Sequence, residues 1–269
     1  MEEQVVNIGI GNLLLAYVFW LVLLLLFYKT KINKEKELAI GTVRMTIQLI
    51  LMGLVLEYLF DNPSWVATVL ILFLMLSFAV YNIFGRIKLP LSKALKKVIA
   101  ISIVVGTCFS IFYFLLVILA HQPWYDARYF IPIAGMIIGN SMSGISLGVE
   151  RLVHGMINKR EQIEGTLALG ASPATASMEV VQDAYNAAIL PTINSMMGMG
   201  IVFLPGLMTG QILAGVSPNT AIAYQIAIML AIIGSVGLSV FILVQLGYRT
   251  FFNKRAQLIA EVEGRKSEI

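Results

Sequence analysis

A few side chains set within the apolar runs of this chain have the chemistry to hold a cation. They are the amides of Gln48, Asn140 and Asn194, the hydroxyl of Ser195, and the thioethers of Met142, Met196, Met197 and Met199. Amide and hydroxyl oxygens suit hard ions, whereas thioethers prefer soft or borderline metals such as Cu(I). Polar groups in a membrane-like sequence are functional candidates by default, because each is costly to bury in lipid. The mixture points to a cation path and leaves the metal unknown. The competing reading of the methionines is gap-filling core. Arg44 and Glu150 lie closer to span ends, where snorkelling to the interface suffices to explain them.

Enzymatic chemistry finds little support, and no catalytic residue is expected. His121 and His154 are far apart, and there is no H-E-x-x-H string or cysteine pair, so a zinc enzyme is disfavoured. The single cysteine, Cys108, lies in an apolar run and is read as a small packed hydrophobe. No Gly-Lys dipeptide occurs, hence no Walker A loop, and any ATP must be handled by another chain.

The elements that must position these residues follow from composition. Of 269 residues, 58% are hydrophobic and 13% charged, and the mean hydropathy is +0.85. Seven apolar windows are long enough to cross a hydrocarbon core about 30 Å thick. They cover about 8–28, 38–60, 65–85, 98–120, 130–150, 186–209 and 220–247. The second carries Arg44, Gln48 and Glu57, which also fits a partly buried or interfacial helix. The first lacks a basic leader and a small-residue cleavage site, so it is read as a retained helix. The expectation is an all-α polytopic membrane protein forming one transmembrane domain over residues 1–269.

Basic residues then orient the chain. Seventeen of the 19 lysines and arginines fall in loops on one side, among them Lys29, Lys31, Lys88, Lys93, Arg151, Lys159, Arg249, Arg265 and Lys266. Arg44 lies inside the second window, and Arg128 falls on the opposite side with Glu2, Glu3, Asp61 and Asp126. The positive-inside rule predicts an external N-terminus and a cytoplasmic C-terminus. The net charge of +4 and pI near 9.1 are thereby explained without nucleic acid.

One connection is long. Residues 151–185, between the fifth and sixth windows, have mixed charge and are too few for an independent domain. Met156 to Leu169 is expected to be helical and to continue span five, and Ala174 to Ala188 to lead into span six. Between them lies Glu164-Gly165-Thr166-Leu167-Ala168-Leu169-Gly170-Ala171-Ser172-Pro173. Gly170 suits a left-handed helix end and Ser172-Pro173 a helix start, which predicts helix, tight turn, helix. Its small turn, flanked by Leu167 and Leu169, could receive a partner or could be a mere connector.

Glycine rows mark spans five and six. Gly135 and Gly139, extended by Ser143, form one four-residue row, Gly144 and Gly148 another, and Gly206 and Gly210 a third. Such rows allow close helix approach in lipid, either within a subunit or between subunits. Pro191 and Pro205 bracket the Asn194 to Gly200 region, as in a helix built to kink.

Four segments together resemble the Fet-type iron-export permeases. They are Arg44-x-x-Ile47-Gln48-Leu49, Ile131-Pro132-Ile133-Ala134-Gly135-Met136-Ile137-x-Gly139-Asn140-x-Met142, Leu167-x-Leu169-Gly170-Ala171-Ser172-Pro173, and Leu204-Pro205-Gly206-Leu207-Met208-x-Gly210-Gln211-Ile212-x-Ala214-Gly215. The similarity extends to plant half-transporters linked to aluminium tolerance and runs from about residue 38 to 250. It implies the membrane subunit of an ABC transporter: a homodimeric permease that exports iron or a related metal. ATP and magnesium would then reside on a separate ATPase subunit. The Glu164 to Pro173 turn would be the coupling helix docking into that ATPase, with Glu164 and Gly170 at the spacing of the E-A-A…G loop. Ile189-Leu190-Pro191 is displaced from the importer pattern, so that pattern does not transfer. Members of the family are also linked to nucleotide-sugar transport, which leaves a non-metal substrate open.

Two other classes fit less well. A retinal protein needs a Schiff-base lysine, and residues 220–247 contain none. A secondary transporter working alone would be expected to show inverted repeats and intramembrane carboxylates, and neither is evident.

Overall fold

A computed structural model of the chain describes residues 9–87, 89 and 91–259. Glu2, Glu3, Lys88, Arg265 and Lys266, which entered the orientation argument, lie outside the described residues. Among the described residues, ten α-helices follow one another: α1 Ile10–Thr30, α2 Glu35–Asp61, α3 Trp65–Arg86, α4 Lys93–Tyr113, α5 Ala127–Asn158, α6 Arg160–Ala168, α7 Pro173–Ala176, α8 Met178–Gly198, α9 Gly206–Leu213 and α10 Pro218–Gly247. A π-helical turn, Phe114–Leu119, extends α4, and a 3₁₀ turn, Tyr248–Phe251, extends α10. Pairing of the β type among the described residues is confined to two isolated bridges.

Local signals explain the helix starts. Ser64, Ser92 and Ser217 each accept a backbone N–H three residues ahead, satisfying a donor that the first turn leaves unpaired. Pro218 stands at the first position of α10, where its missing N–H costs nothing.

Among the described residues, six helices are long and apolar enough to span a membrane: α1, α2, α3, α4 with its π turn, α5, and α10 with its 3₁₀ turn. The expected sixth span, 186–209, is not one helix. Helix α8 passes through Pro191 but ends at Gly198, the chain runs non-helically from Met199 to Pro205, and α9 follows. The cause is local. Gly200 takes a left-handed φ of 86°, and Pro205 has no N–H to carry a helix on. Moreover, α8 opens with Glu179, Gln182, Asp183 and Asn186, which shortens its apolar part.

The main core is built around α5, whose buried face meets α3, α4, α8 and α10. Close approach is set by small residues. A Cβ on Gly144 would stand 2.8 Å from Val236 Cγ1, one on Gly155 2.5 Å from Val180 Cγ1, and one on Gly247 2.9 Å from Leu152 Cδ2. Gly148 likewise faces Leu243 and Ala188. The row Gly144–Gly148 is therefore packing within the protomer. Gly135 meets only the tip of Met75, and a Cβ at Gly139, Gly206 or Gly210 would meet nothing within 4 Å.

These contacts align α4, α5 and α10, so that Lys93, Lys159 and Arg249 gather at one end of the bundle, here called the basic end. Helices α1 and α2 stand apart from the core. Their only buried residue is Leu59, which packs with Ala127 and Ile131 in a small second cluster.

Candidate functional site

The helix-turn-helix at the basic end forms as its residues dictate. Gly170 adopts φ 89°, its N–H bonds Leu167 O at 2.9 Å, and the Ala171 N–H bonds Thr166 O at 3.2 Å, which closes α6 with a Schellman motif. Ser172 Oγ then accepts the Thr175 N–H at 3.2 Å, and Pro173 is the first residue of α7. Ser177, fully buried, donates its hydroxyl to Pro173 O at 2.7 Å and turns the chain into α8. Helix α5 does not run unbroken to Leu169; it pauses at Lys159 before α6.

The two leucines of the turn part company. Leu167 follows the buried Ile163 by one helical turn and is half-buried against the core, so it is not a free anchor. Leu169 lies past the helix end and is 91% exposed. Met178, the first residue of α8, is also exposed. Glu164 is held by Arg160, with Oε1 2.8 Å from Nη2.

Lys159, which sequence reasoning treated only as a topology marker, is the hub of this end. Its Nζ lies 2.7 Å from Glu179 Oε1 and 3.2 Å from Asp183 Oδ2. Gln162 Nε2 donates to the other Glu179 oxygen at 3.2 Å. The hydrogen bond to Glu179 pushes the lysine pKa up, and the same bond, aided by Gln162, holds the Glu179 carboxyl below its ordinary value.

The polar residues of the spans fall on open faces. Asn140 and Ser143 share one side of α5, where Asn140 Nδ2 donates to Met136 O at 2.8 Å and Ser143 Oγ to Gly139 O at 3.2 Å. Asn194, Ser195 and Met197 are exposed on α8, with Ser195 Oγ donating to Pro191 O at 3.0 Å. Met142 is half-buried and packs on the core. Gln48 is apart from these, in a groove between α2 and α3. No hydrogen bond joins any of these side chains to another. Among the described residues, no cluster of three or more His, Cys, Asp or Glu could hold a metal.

The structure adds a group that sequence reasoning did not single out. Gln225 of α10 is only 6% exposed; its Nε2 donates to Met199 Sδ at 3.7 Å, and its Oε1 is buried without a partner. An unpaired buried amide oxygen carries a desolvation penalty of about 1–3 kcal/mol. It lies where α8 breaks, next to a thioether. A lone glutamine in an otherwise apolar stretch of α10 was the available signal.

One spacing invites a different reading. Gly144-Ile145-Ser146-Leu147-Gly148 has the letters of a nucleophile elbow. It lies mid-helix, with Ser146 Oγ spent on Met142 O at 2.8 Å, and lacks the strand-to-helix turn such a nucleophile requires.

Comparison with known proteins gives a consistent picture. The profile of the Uncharacterised protein family (UPF0014) matches residues 10–252. The chain is 35% identical over 253 residues to the Probable iron export permease protein FetB of Escherichia coli, covering 94% of this chain and 96% of that one. It is 40% identical over 230 residues to the UPF0014 membrane protein slr1647 of Synechocystis, covering 85% and 88%. It is also 34% identical over 250 residues to the Protein ALUMINUM SENSITIVE 3 of Arabidopsis thaliana, covering 92% and 89%. No solved structure matches.

Proposed function

This chain belongs to the UPF0014 family of multi-pass membrane permeases, and from that premise we propose that it exports iron or a related metal cation, powered by a separate ABC ATPase. Two copies of the chain pair in the membrane, and each binds one ATPase subunit carrying ATP and magnesium. The basic end faces the cytoplasm, and α8, the 199–205 break and α9 together act as the seventh crossing.

One observation carries this reading: Leu169, 91% exposed, at the tip of a rigid turn at the basic end. A bare leucine there gains from being covered, and a partner groove that closes on nucleotide would receive it, with Ala171, Ser172 and Pro173 allowing close backbone approach. The Lys159 clasp then passes the displacement to α5 and α8 together. Those helices bear Asn140, Asn194, Ser195 and Met197, which line the path. Gln225 Oε1, already dehydrated and unpaired, lowers the cost of receiving a partly dehydrated cation beside Met199.

The test is transport. The permease and its ATPase, reconstituted in vesicles, are expected to hydrolyse ATP faster in the presence of Fe(II) and to move it in one direction. Stimulation by nucleotide sugars and by no metal would overturn the cargo assignment. Failure to bind any ATPase would overturn the mechanism.

A further inference from the structure

We propose that the groove between α2 and α3 seats one anionic phospholipid, its phosphodiester on Arg44 and an acyl chain along Met52 and Val55. The groove measures about 650 Å³, and Arg44 and Gln48 give it a polar end, while Met52, Val55, Met75 and Phe78 are among its apolar walls.

Charge decides the class of occupant. The Arg44 guanidinium stands 4.6 Å from the Phe78 ring centroid, a cation–π contact, and has no carboxylate partner among the described residues. From Glu37 to Glu57, helix α2 rises about 30 Å, which matches the hydrocarbon thickness. Arg44 therefore sits about 10 Å inside the boundary marked by Glu37. At that depth an uncompensated guanidinium is costly, but its long side chain reaches toward the headgroup level. A phosphodiester supplies the missing charge and matches the planar fork of donors. A transported cation is repelled from the same place, which separates this groove from the path through α5 and α8.

Shape decides between a lipid and a soluble anion. Polar side chains occupy one end only, and the remaining wall is a strip of aliphatic and thioether groups fit for a chain. Helix α2 presents Ile47, Leu49, Ile50 and Leu54 outward, so the groove opens where lipid stands. A second copy would have to bring an acid to Arg44, and α1, α3, α4 and α10 contain none.

The test uses the full-length protein in nanodiscs of equal phosphatidylglycerol and phosphatidylcholine, with retained lipid counted by mass spectrometry after detergent extraction. Wild type is expected to keep phosphatidylglycerol in preference. Arg44→Gln lowers that preference about fivefold, and Arg44→Lys restores most of it. Met52→Trp fills the apolar end, leaves the charge, and also lowers retention; it carries the test where Arg44→Gln does not fold. Unchanged retention in both Arg44→Gln and Met52→Trp overturns the proposal. So does displacement of the lipid by glycerol 3-phosphate, which would mark a soluble-anion site. High-yield disulfide formation between two copies of Met52→Cys would also overturn it, because a second chain would then cover the groove.

Discussion

Lys159 Nζ lies 2.7 Å from Glu179 Oε1, joining the end of α5 to the start of α8 across the exposed turn that separates them in sequence. Both groups are accessible to water, and such pairs add little to overall stability. Their value is geometric. With Asp183 as second acceptor, the lysine fixes how α6 and α7 are held against α5 and α8.

Replacing Lys159 with Glu sets three acids together and is expected to uncouple the turn from the bundle. ATPase binding persists while transport per ATP falls. Parallel assays of co-purification and of metal flux check this, and flux at the wild-type ratio would refute it.

The clasp has a pH window. Lys159 is raised by its partner, so its contribution is complete below the ordinary lysine range and is lost as pH rises through the raised value. Glu179 is lowered, so its contribution is complete above the ordinary glutamate range and is lost as pH falls through the depressed value. After correction for intrinsic exchange, amide protection across residues 159–183 should be flat between those ranges and fall on either side.

Leu169→Glu is expected to leave the fold unchanged, because the side chain touches little within the protomer, and to weaken ATPase binding by about 30-fold. Leu167→Glu should instead lower thermal stability, since that side chain packs on the core. Titration of ATPase onto the purified permease, beside a melting curve, separates the two effects.

Glycine substitutions should divide in the same way. Gly144→Val and Gly155→Leu force side chains into Val236 and Val180 and should cost about 1–3 kcal/mol or more. A Cβ added at Gly139 meets nothing within 4 Å in its own protomer, so the effect of Gly139→Ala should appear in dimer formation rather than in the melting temperature. An equal loss of melting temperature at Gly139 and Gly144 would contradict this division.

Gln225→Leu removes an unpaired buried oxygen while keeping similar volume. Thermal stability should hold or rise, since exchanging an unsatisfied polar group for an apolar one is neutral or favourable. Metal flux should drop. Unchanged flux would remove Gln225 from the path.

Much of the fold was legible because its signals are strong and local. Serine caps, proline starts and long apolar windows mark where α3, α4 and α10 begin, and the Gly170 turn is written in its own residues. The broken crossing was legible only as a kink, from Pro191 and Pro205; hydropathy averages over Met199 to Pro205 and does not show that α8 stops at Gly198, with Met199 extended and Gly200 left-handed. The site divided similarly. Leu167 and Leu169 look alike in sequence, and only the position of the helix end sends one inward and the other into solvent. Lys159 and Gln225 depend on partners 20 and 26 residues away, at Glu179 and Met199, which no local pattern encodes.

Helices α1 and α2 contribute a single buried side chain, Leu59, to the protomer. In mechanical terms the molecule is a stiff block carrying a soft hinged pair. A push delivered at the turn, as the proposed coupling requires, would displace the block nearly as a rigid body, because its helices interlock through glycine contacts. The first two helices pack on the rest mainly through the small Leu59 cluster, so swinging or sliding them in the membrane plane would break few contacts. Under the proposed cycle, strain would therefore be absorbed at the periphery, and the open faces of α5 and α8 that bear Asn140 and Asn194 would keep their registry.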